Sequence, residues 1–297
     1  MNTSKRIKLI LTSILFLLFS TFALGQKLAP KERVIEPDHT ITSKIMDKDY
    51  QLYISFPKSY STKDANSYPV LYVLDGHFSY HLFKGVQNLL TTDKAIEEVI
   101  IVGIREGHDF NSWFINRAYD FTPSKDTVWE RDREKRYNLP KGSLTTGGAA
   151  EFLESIKTEI VPFIEKNYKT NNDRGITGWA FGGLFTAYSF INSDGYFTRF
   201  GINTSTLWWN SNEILNQAVL RFSNNKTWDI PPTKVFMSVG TLDESSMIPA
   251  MLKFSSHLKN RTYKNIDFES QIFDKETHAS TLPTSLSKTL AVLYGTK

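Results

Sequence analysis

Short apolar runs that alternate with helical segments are the feature that most restricts the fold of this chain. Residues 69–74 and 99–104 are apolar at nearly every position, as in strands of a parallel sheet buried on both faces. A helical pattern at residues 80–90 lies between them, and the alternation continues towards the C-terminus. This order predicts a doubly wound α/β fold, with a mostly parallel central sheet and helices on both faces.

The remaining elements fit the same class. Two strand-like stretches at 39–46 and 50–56 flank Asp47-Lys48-Asp49, which predicts an N-terminal β-hairpin. Apolar residues at helical spacing predict a helix over 149–168, and a short strand at 175–177 is followed by a helix that opens near Gly182. The later predicted strands are 200–203, 234–239 and 266–273, and the later predicted helices are 212–222, 248–259 and 282–293.

The first 25 residues have the pattern of an export signal. Basic residues precede an apolar run at 9–24, and a small-x-small pattern at 23–25 predicts cleavage before Gln26. The alternative is a retained membrane anchor, but a run of about 16 residues is shorter than the ~20 that a spanning helix needs. We therefore expect a signal peptide at 1–25, a single domain at 26–297, and a periplasmic or extracellular protein without stable membrane insertion after cleavage.

Charge and cysteine content exclude several classes of function. The formal net charge is +4, but Lys5, Arg6 and Lys8 belong to the signal segment, so the mature chain carries only +1. No electrostatic argument for nucleic-acid binding remains. The chain has no cysteine, which excludes disulfides, thiolate metal sites and a cysteine nucleophile, and leaves serine as the expected nucleophile of a hydrolase.

The most informative motif is Gly178-Trp179-Ala180-Phe181-Gly182-Gly183, between a predicted strand and a predicted helix. This is the context of a nucleophile elbow, G-x-S-x-G, in which glycines let a strand turn sharply into a helix. The central residue projects at the helix N-terminus, where the helix dipole favours negative charge. Here that residue is Ala180, which has no nucleophilic atom.

Two further residues follow in the order that a Ser-His-Asp site of this architecture requires. Asp243 comes directly after an apolar strand, and His278 follows the last predicted strand. Glu244 is an alternative to Asp243 as the acid, and His278 could instead be an exposed loop histidine. Its position after the last strand, in register with the elbow, favours the catalytic interpretation.

Together these motifs resemble the putative-esterase family of α/β-hydrolases, which includes esterase D, the enterobactin-type siderophore esterases and the mycobacterial mycolyltransferases. The resemblance extends from about residue 50 to residue 293. The motifs that carry it are Leu74-Asp75-Gly76, Arg117 with Asp120-Phe121-Thr122-Pro123, Gly147-Gly148-Ala149, the elbow, Ser205-Thr206-Leu207-Trp208-Trp209, Gly240-x-Leu242-Asp243 and His278-x-Ser280. The siderophore-esterase-like branch looks closest, because it commonly has the paired tryptophans and an acidic residue after Gly-x-Leu.

The resemblance implies an α/β-hydrolase fold and assigns roles to individual residues. His278 would be the general base and Asp243 its orienting acid, and the backbone N–H groups of His77 and Phe181 would form the oxyanion hole. The nucleophile position corresponds to Ala180, which departs from the family pattern. The implied substrate is a small-molecule ester, and no cofactor is implied.

Trp208, Trp209 and Arg117 are candidate substrate-binding residues. The two tryptophans line a pocket or fill the core, and one of each is the simplest expectation for neighbours on irregular chain. Arg117 is expected to form a structural ion pair with Asp120, or alternatively to contact an anionic substrate.

Two other features have competing interpretations. His77 and His81 have a spacing that can bind metal on a helix, but the sequence offers no third ligand, so we predict no metal site and interpret them as a helix start and a pocket rim. Residues 125–141 mix both charge signs and are expected to form a solvated loop, or a variable cap over the site.

The sequence therefore predicts an exported serine-type carboxylic-ester hydrolase acting on an acyl ester or a siderophore-like lactone, inactive or nearly so because of Ala180. The alternative is a natural pseudoenzyme that binds an ester, siderophore or glycan without turnover. A purely structural α/β domain would require the acid, the base and the Asp75-Gly76 turn to coincide by chance. The alanine is either a natural loss or a deliberate replacement of serine, and codon 180 of the native gene distinguishes the two.

Overall fold

A computed structural model describes residues 35–63, 65–224, 228–259, 263 and 265–296. The predicted signal peptide at 1–25 lies outside the described residues. Within them, no helix is both long enough and apolar enough to cross a membrane.

A central sheet organises the described part of the chain. Its strands are β1 (His39–Ser43), β2 (Lys48–Ser55), β3 (Tyr68–Val73), β4 (Ile100–Arg105), β5 (Thr170–Trp179), β6 (Arg199–Asn203), β7 (Thr233–Gly240) and β8 (Ile266–Phe273). The helices are α1 (Gly76–Thr92), α2 (Phe110–Asp120), α3 (Thr127–Arg136), α4 (Ala149–Ser155), α5 (Val161–Asn167), α6 (Phe181–Asn192), α7 (Trp209–Asn224), α8 (Met247–Lys259) and α9 (Thr281–Tyr294). The predicted helix over 149–168 is α4 and α5 joined by a π-helical turn, Ile156–Ile160.

The strand order is β1-β2-β4-β3-β5-β6-β7-β8. The first two strands form the predicted antiparallel hairpin at one edge, and β2 pairs antiparallel with β4. From β4 to β8 every neighbouring pair is parallel. The predicted α/β-hydrolase class is therefore confirmed, and its N-terminal hairpin with it.

The apolar side chains of a strand alternate between the two faces of the sheet, as the pleat requires. In β3, Leu71 and Val73 pack in the core under α1 and α9, whereas Val70 and Tyr72 pack in the larger core on the opposite face. All four side chains are buried. Burial on both faces explains why this strand reads as one continuous apolar run.

The strand order changes direction at β3. The chain passes from β3 to β4 on one side and later returns to β5 on the other, so β3 and β5 are parallel neighbours. In open α/β sheets, ligands bind outside the carboxyl ends of the strands at such a switch point. The turn after β3 and the elbow after β5 meet there.

Candidate active site

The elbow has a strained backbone at the position where a nucleophile would stand. Ala180 is buried and adopts φ 58° and ψ −117°, a region of backbone conformation that residues other than glycine rarely occupy. Its N–H donates to the carbonyl of Asn203 at 3.2 Å, which ties the turn to the end of β6. A Cβ on Gly178 would lie 2.3 Å from the carbonyl carbon of Gly182, so the close approach of strand and helix requires glycine there.

His278 and Asp243 lie within hydrogen-bonding distance. The His278 Nδ1 is 3.0 Å from Asp243 Oδ1, and the Asp243 side chain is fully buried whereas that of His278 is 37% exposed. The same carboxylate oxygen accepts the N–H of Glu244 at 2.8 Å. The structure thus places Asp243, rather than Glu244, at the imidazole, and leaves His278 Nε2 for proton transfer.

Backbone contacts join the loops that carry the acid and the histidine. The N–H of Leu242 donates to the carbonyl of Glu276 at 2.9 Å, and a Cβ on Gly240 would lie 2.1 Å from that same oxygen. Trp179, in the elbow motif, donates its Nε1–H to the His278 carbonyl at 2.9 Å, with the two ring centroids 4.4 Å apart. These contacts bring His278 to the elbow although the two are distant in sequence.

The two expected oxyanion donors stand in the first turns of helices that start at the switch point. His77 is the second residue of α1, and Phe181 is the first residue of α6. N–H groups in a first helical turn have no intrahelical acceptor, so both remain available to a ligand. The two helix starts are close together, since a Cβ on Gly182 would lie 3.3 Å from Asp75 Oδ2.

The imidazole of His77 is distinct from its backbone donor. Burial lowers the pKa of His77 to about 4, an effect that the nearby Asp75 carboxylate only partly opposes. The ring contacts Trp113 with centroids 4.9 Å apart, and the structure places His81 on α1 against Tyr53. The described residues contain no cluster of three metal-ligating side chains.

Arg117 differs from the ion pair expected of it. Its Nε and Nη2 donate to Asp75 Oδ1 and Oδ2 at 2.8 and 2.9 Å, so the pairing with Asp120 is wrong. Asp120 instead binds Lys48 Nζ at 2.5 Å and the Tyr50 hydroxyl at 2.9 Å. The sequence favoured Asp120 because it lies only three residues after Arg117. Both of these residues belong to α2, whereas Asp75 is distant in sequence and is brought next to Arg117 by the turn after β3.

A buried carboxyl group that the sequence analysis missed lies beside this pair. Glu106 directly follows β4, is 0% exposed, and accepts the Asp75 N–H on Oε1 at 3.3 Å. Burial, reinforced by the Asp75 carboxylate, raises the pKa of Glu106 well above its ordinary value. The available signal was an acidic residue at the carboxyl end of an apolar strand, the same signal that identified Asp243.

The paired tryptophans have different environments. Trp209 is fully buried, donates its Nε1–H to the Ser124 carbonyl at 3.3 Å, and packs against Phe181. Trp208 is half-buried, and its Nε1 has no hydrogen-bond partner among the residues described. Trp209 therefore fills the core, as expected of one member of the pair, and the pocket-lining role of Trp208 remains a prediction.

The charged segment 125–141 is not a loop, because residues 127–136 form α3. Asp126 caps this helix by accepting the N–H groups of Val128 and Trp129 at 3.0 Å. Glu130 is buried, and its carboxylate is satisfied there by the N–H and the hydroxyl of Thr146, which donate to it at 2.9 and 2.7 Å. The mixed charges therefore include structural anchors that a solvated loop would not have.

Trp129 on α3 packs against Phe181 at the elbow, with ring centroids 5.3 Å apart. The helix thus lies beside the candidate site. This position is compatible with the expected cap, which remains a prediction.

Buried polar atoms without a hydrogen-bond partner in the described structure concentrate at this edge of the sheet. Those at this edge are His77 Nδ1, Glu106 Oε2, Thr204 Oγ1, Ser205 Oγ, Thr206 Oγ1, Trp208 Nε1 and Asp243 Oδ2. The hydroxyls of Tyr72, Thr91 and Ser193 are also buried without a partner among the described residues, but lie elsewhere. Four of the atoms at this edge belong to the loop between β6 and α7, where the β-branched Thr204 has φ 45°. Buried polar groups are normally paired, so their concentration here favours a polar ligand.

A groove lies at the opposite edge of the sheet. It has a volume of about 860 Å³ and opens at the amino ends of β6, β7 and β8. Its Arg199 is already paired with Asp173 and, at 2.8 Å, with Glu97. The chemistry-bearing side chains are at the carboxyl edge.

Comparison with known proteins agrees with this geometry. The model of the "Putative esterase" family matches residues 43–278, which is most of the chain. The ferri-bacillibactin esterase BesA of Bacillus subtilis is 24% identical over 262 residues, covering 84% of this chain and 86% of the relative. The apo-salmochelin esterase of Escherichia coli O6:H1 is 27% identical over 154 residues, covering 52% of this chain but only 45% of that protein's length.

Solved structures give the same result. The BES protein from Bacillus cereus superposes with a TM-score of 0.75 at 28% identity, covering 90% of this chain and 99% of that one. The IroE-like serine hydrolase from Shewanella oneidensis superposes with a TM-score of 0.73 at 25% identity, covering 86% and 79%. With the family model matching most of its length, this chain belongs to the putative-esterase family and is similar to that family's siderophore esterases.

Proposed function

We propose that this chain is an exported serine-type esterase scaffold that binds a carboxylic ester, either an acyl ester or a siderophore-like lactone, and turns it over very slowly or not at all. The proposal includes a signal peptide at 1–25, a single domain at 26–297, and a periplasmic or extracellular location. The observation that carries it is the strained elbow at Ala180, next to a hydrogen-bonded His278–Asp243 pair.

With serine at position 180, the chemistry would follow from the positions of these groups. The hydroxyl proton would pass to His278 Nε2 while the oxygen attacks the ester carbonyl. The resulting oxyanion would accept the N–H groups of His77 and Phe181, and collapse would expel the alcohol with the proton from His278. With alanine the first bond cannot form, so no acyl-enzyme and no burst of alcohol release are expected.

The unpartnered polar atoms around the elbow favour an oxygen-rich ligand. The Trp208 Nε1–H can donate to a carbonyl or hydroxyl oxygen, and the hydroxyls of Thr204 and Thr206 can both donate and accept. The siderophore esterases to which the chain is similar are named for ligands of this kind. A polyester or acylated polyol fits this chemistry better than a purely hydrocarbon ester.

A natural pseudoenzyme is the second candidate. The strained φ of Ala180 is kept although no nucleophile needs it, and the Asp243 side chain remains fully buried against His278. Both are compatible with a site that keeps its shape in order to hold a ligand.

Replacing Ala180→Ser tests the proposal. We expect kcat on p-nitrophenyl esters and on a catecholate trilactone to rise by about 10⁴–10⁶-fold, the range associated with a catalytic serine. The double variant Ala180→Ser/His278→Ala should remain at the level of the Ala180 chain, which excludes adventitious hydrolysis.

Calorimetric titration of the Ala180 chain with the same trilactone separates the two candidates. Binding together with gain of activity in Ala180→Ser supports the esterase scaffold. Binding without gain of activity supports the pseudoenzyme, and absence of both would refute the proposal.

A further inference from the structure

The turn between β3 and α1 is held in an unusual way. Asp75 occupies the N-cap position of α1 in the left-handed region, with φ 52° and ψ 46°, yet its side chain makes no capping hydrogen bond. A Cβ on the following Gly76 would lie 2.8 Å from the Ile104 carbonyl, so the turn is pressed against β4. Something other than a side-chain cap must stabilise this conformation, because a non-glycine residue in the left-handed region is strained.

The Asp75 carboxylate is directed to α2 instead. Its Oδ1 accepts Arg117 Nε and Trp113 Nε1, both at 2.8 Å, and its Oδ2 accepts Arg117 Nη2 at 2.9 Å. Asp75 and Arg117 are only 2% and 6% exposed. A buried bidentate pair fixes both distance and orientation, so the side chain of the turn is anchored to one helix.

The backbone of the turn is anchored by Glu106. Its Oε1 accepts the Asp75 N–H, and its own backbone carbonyl accepts the side-chain amide of Asn116 on α2. Glu106 is 0% exposed and its Oε2 has no partner within the described residues. The carboxyl group stands beside the Asp75 carboxylate, and burial together with that neighbouring charge raises the pKa of Glu106 well above its ordinary value.

We propose that Glu106 is a positioning residue: by holding the Asp75 N–H, it sets the turn that directs the His77 N–H at the ester carbonyl. This rests on the proposed function, in which His77 supplies an oxyanion donor. His77 lies two residues beyond Asp75, so a rotation of the turn moves its N–H directly. Displacement of a reacting group by about 1 Å can lower a rate by about 10²-fold.

Three substitutions in the Ala180→Ser background test the assignment. Glu106→Gln retains an acceptor oxygen in a side chain of the same shape and size, so we expect kcat within about threefold of the parent. Glu106→Leu removes the acceptor, so we expect kcat to fall by about 10–100-fold with KM changed less than about threefold. Gln87→Leu is the matched control, because it removes a buried polar side chain of α1 that bonds Ser55 and the Val99 carbonyl, away from the turn.

A second readout is independent of catalysis. In the Ala180 chain, Glu106→Leu should accelerate amide hydrogen exchange at Asp75, whose N–H loses its acceptor, and at Phe78, whose N–H donates to the Asp75 carbonyl, while leaving the first turn of α6 unchanged. If Glu106→Leu does not fold, Asn116→Leu replaces it, since it removes the side-chain amide that donates to the Glu106 carbonyl and should lower kcat by about threefold or more.

The outcomes are distinguishable. Equal kcat in Glu106→Leu and Glu106→Gln, an equal loss in Gln87→Leu, or unchanged exchange at Asp75 would each overturn the assignment. If the Ala180→Ser parent is itself inactive, the esterase-scaffold candidate fails, and exchange alone decides whether Glu106 holds the turn.

Discussion

Ala180 stores backbone strain that a glycine would release, and this can be measured without any substrate. At φ 58° and ψ −117°, an L-residue costs about 1–3 kcal/mol relative to glycine. Ala180→Gly also loses a buried methyl group, about 0.8 kcal/mol, and gains unfolded-state entropy, about 0.4–1 kcal/mol. The opposing contributions are similar in size, so we expect almost no net loss of stability, or a gain.

Ala187→Gly is the matched control, because Ala187 is also buried but lies inside α6. There glycine loses the same methyl group and about 1 kcal/mol of helix propensity, with no strain to release, so a loss of about 2 kcal/mol is expected. The difference between the two variants isolates the strain and should be about 1–3 kcal/mol in favour of Ala180→Gly.

Urea denaturation of both variants, with matching m-values, measures this difference. At about 2–4 °C per kcal/mol for a domain of this size, it should also separate the two melting temperatures by several degrees. Equal destabilisation at positions 180 and 187 would show that the elbow is not strained, and the interpretation of Ala180 as a nucleophile position would lose its main physical support.

Further predictions concern charge. In the Ala180→Ser background, Asp243→Asn should lower kcat by about 10⁴-fold whereas Glu244→Gln should leave it within threefold, and equal losses in steady-state assays would reassign the acid. Burial raises the pKa of Asp120 from 3.8 to about 6 despite its ion pair, so folding favours the protonated form. The contribution of Asp120 to the free energy of unfolding is therefore lost as the pH rises from about 4 to 6, and amounts to at most about 3 kcal/mol. Asp120→Asn should flatten that part of the urea-denaturation pH profile, and an unchanged slope would contradict this. Because burial lowers the pKa of His77 to about 4, its ring should give the NMR shifts of neutral imidazole at pH 6, and a midpoint near 6.5 would refute the burial argument.

The fold was predictable because its signals are local. Residues 69–74 and 99–104 are apolar at nearly every position because both faces of β3 and β4 are covered. This pattern can be recognised in the sequence without knowing which strands pair with which. The turn at Ala180 was partly predictable for the same reason, since Gly178 is required by its close approach to Gly182, four residues further along the chain. The π-helical turn Ile156–Ile160 left no such mark, because its residues keep the apolar spacing of an ordinary helix.

Long-range pairings were not predictable in the same way. Arg117 was assigned to Asp120 because they are neighbours in sequence, but the sheet brings Asp75 to Arg117 and Lys48 to Asp120. Glu130 was interpreted as one charge in a solvated loop, although the chain folds Thr146 back onto it. Which carboxylate meets which cation depends on the order of strands, and a charge pattern carries no information on that order.

The strain at Ala180 bears on what the site is for. The fold needs a tight turn after β5, but a glycine at position 180 would make that turn without backbone strain. The neighbouring Thr204 is likewise a non-glycine residue with a positive φ. Two strained non-glycine residues together cost about 2–6 kcal/mol, a large share of the 5–15 kcal/mol by which a typical protein is stable. Hydrogen bonds to neighbouring strands hold both residues in these conformations. The Ala180 N–H donates to the Asn203 carbonyl, and the Thr204 N–H donates to the Ser238 carbonyl. An arrangement with this cost favours the proposed ligand site over a purely structural role, because the sheet itself does not require it.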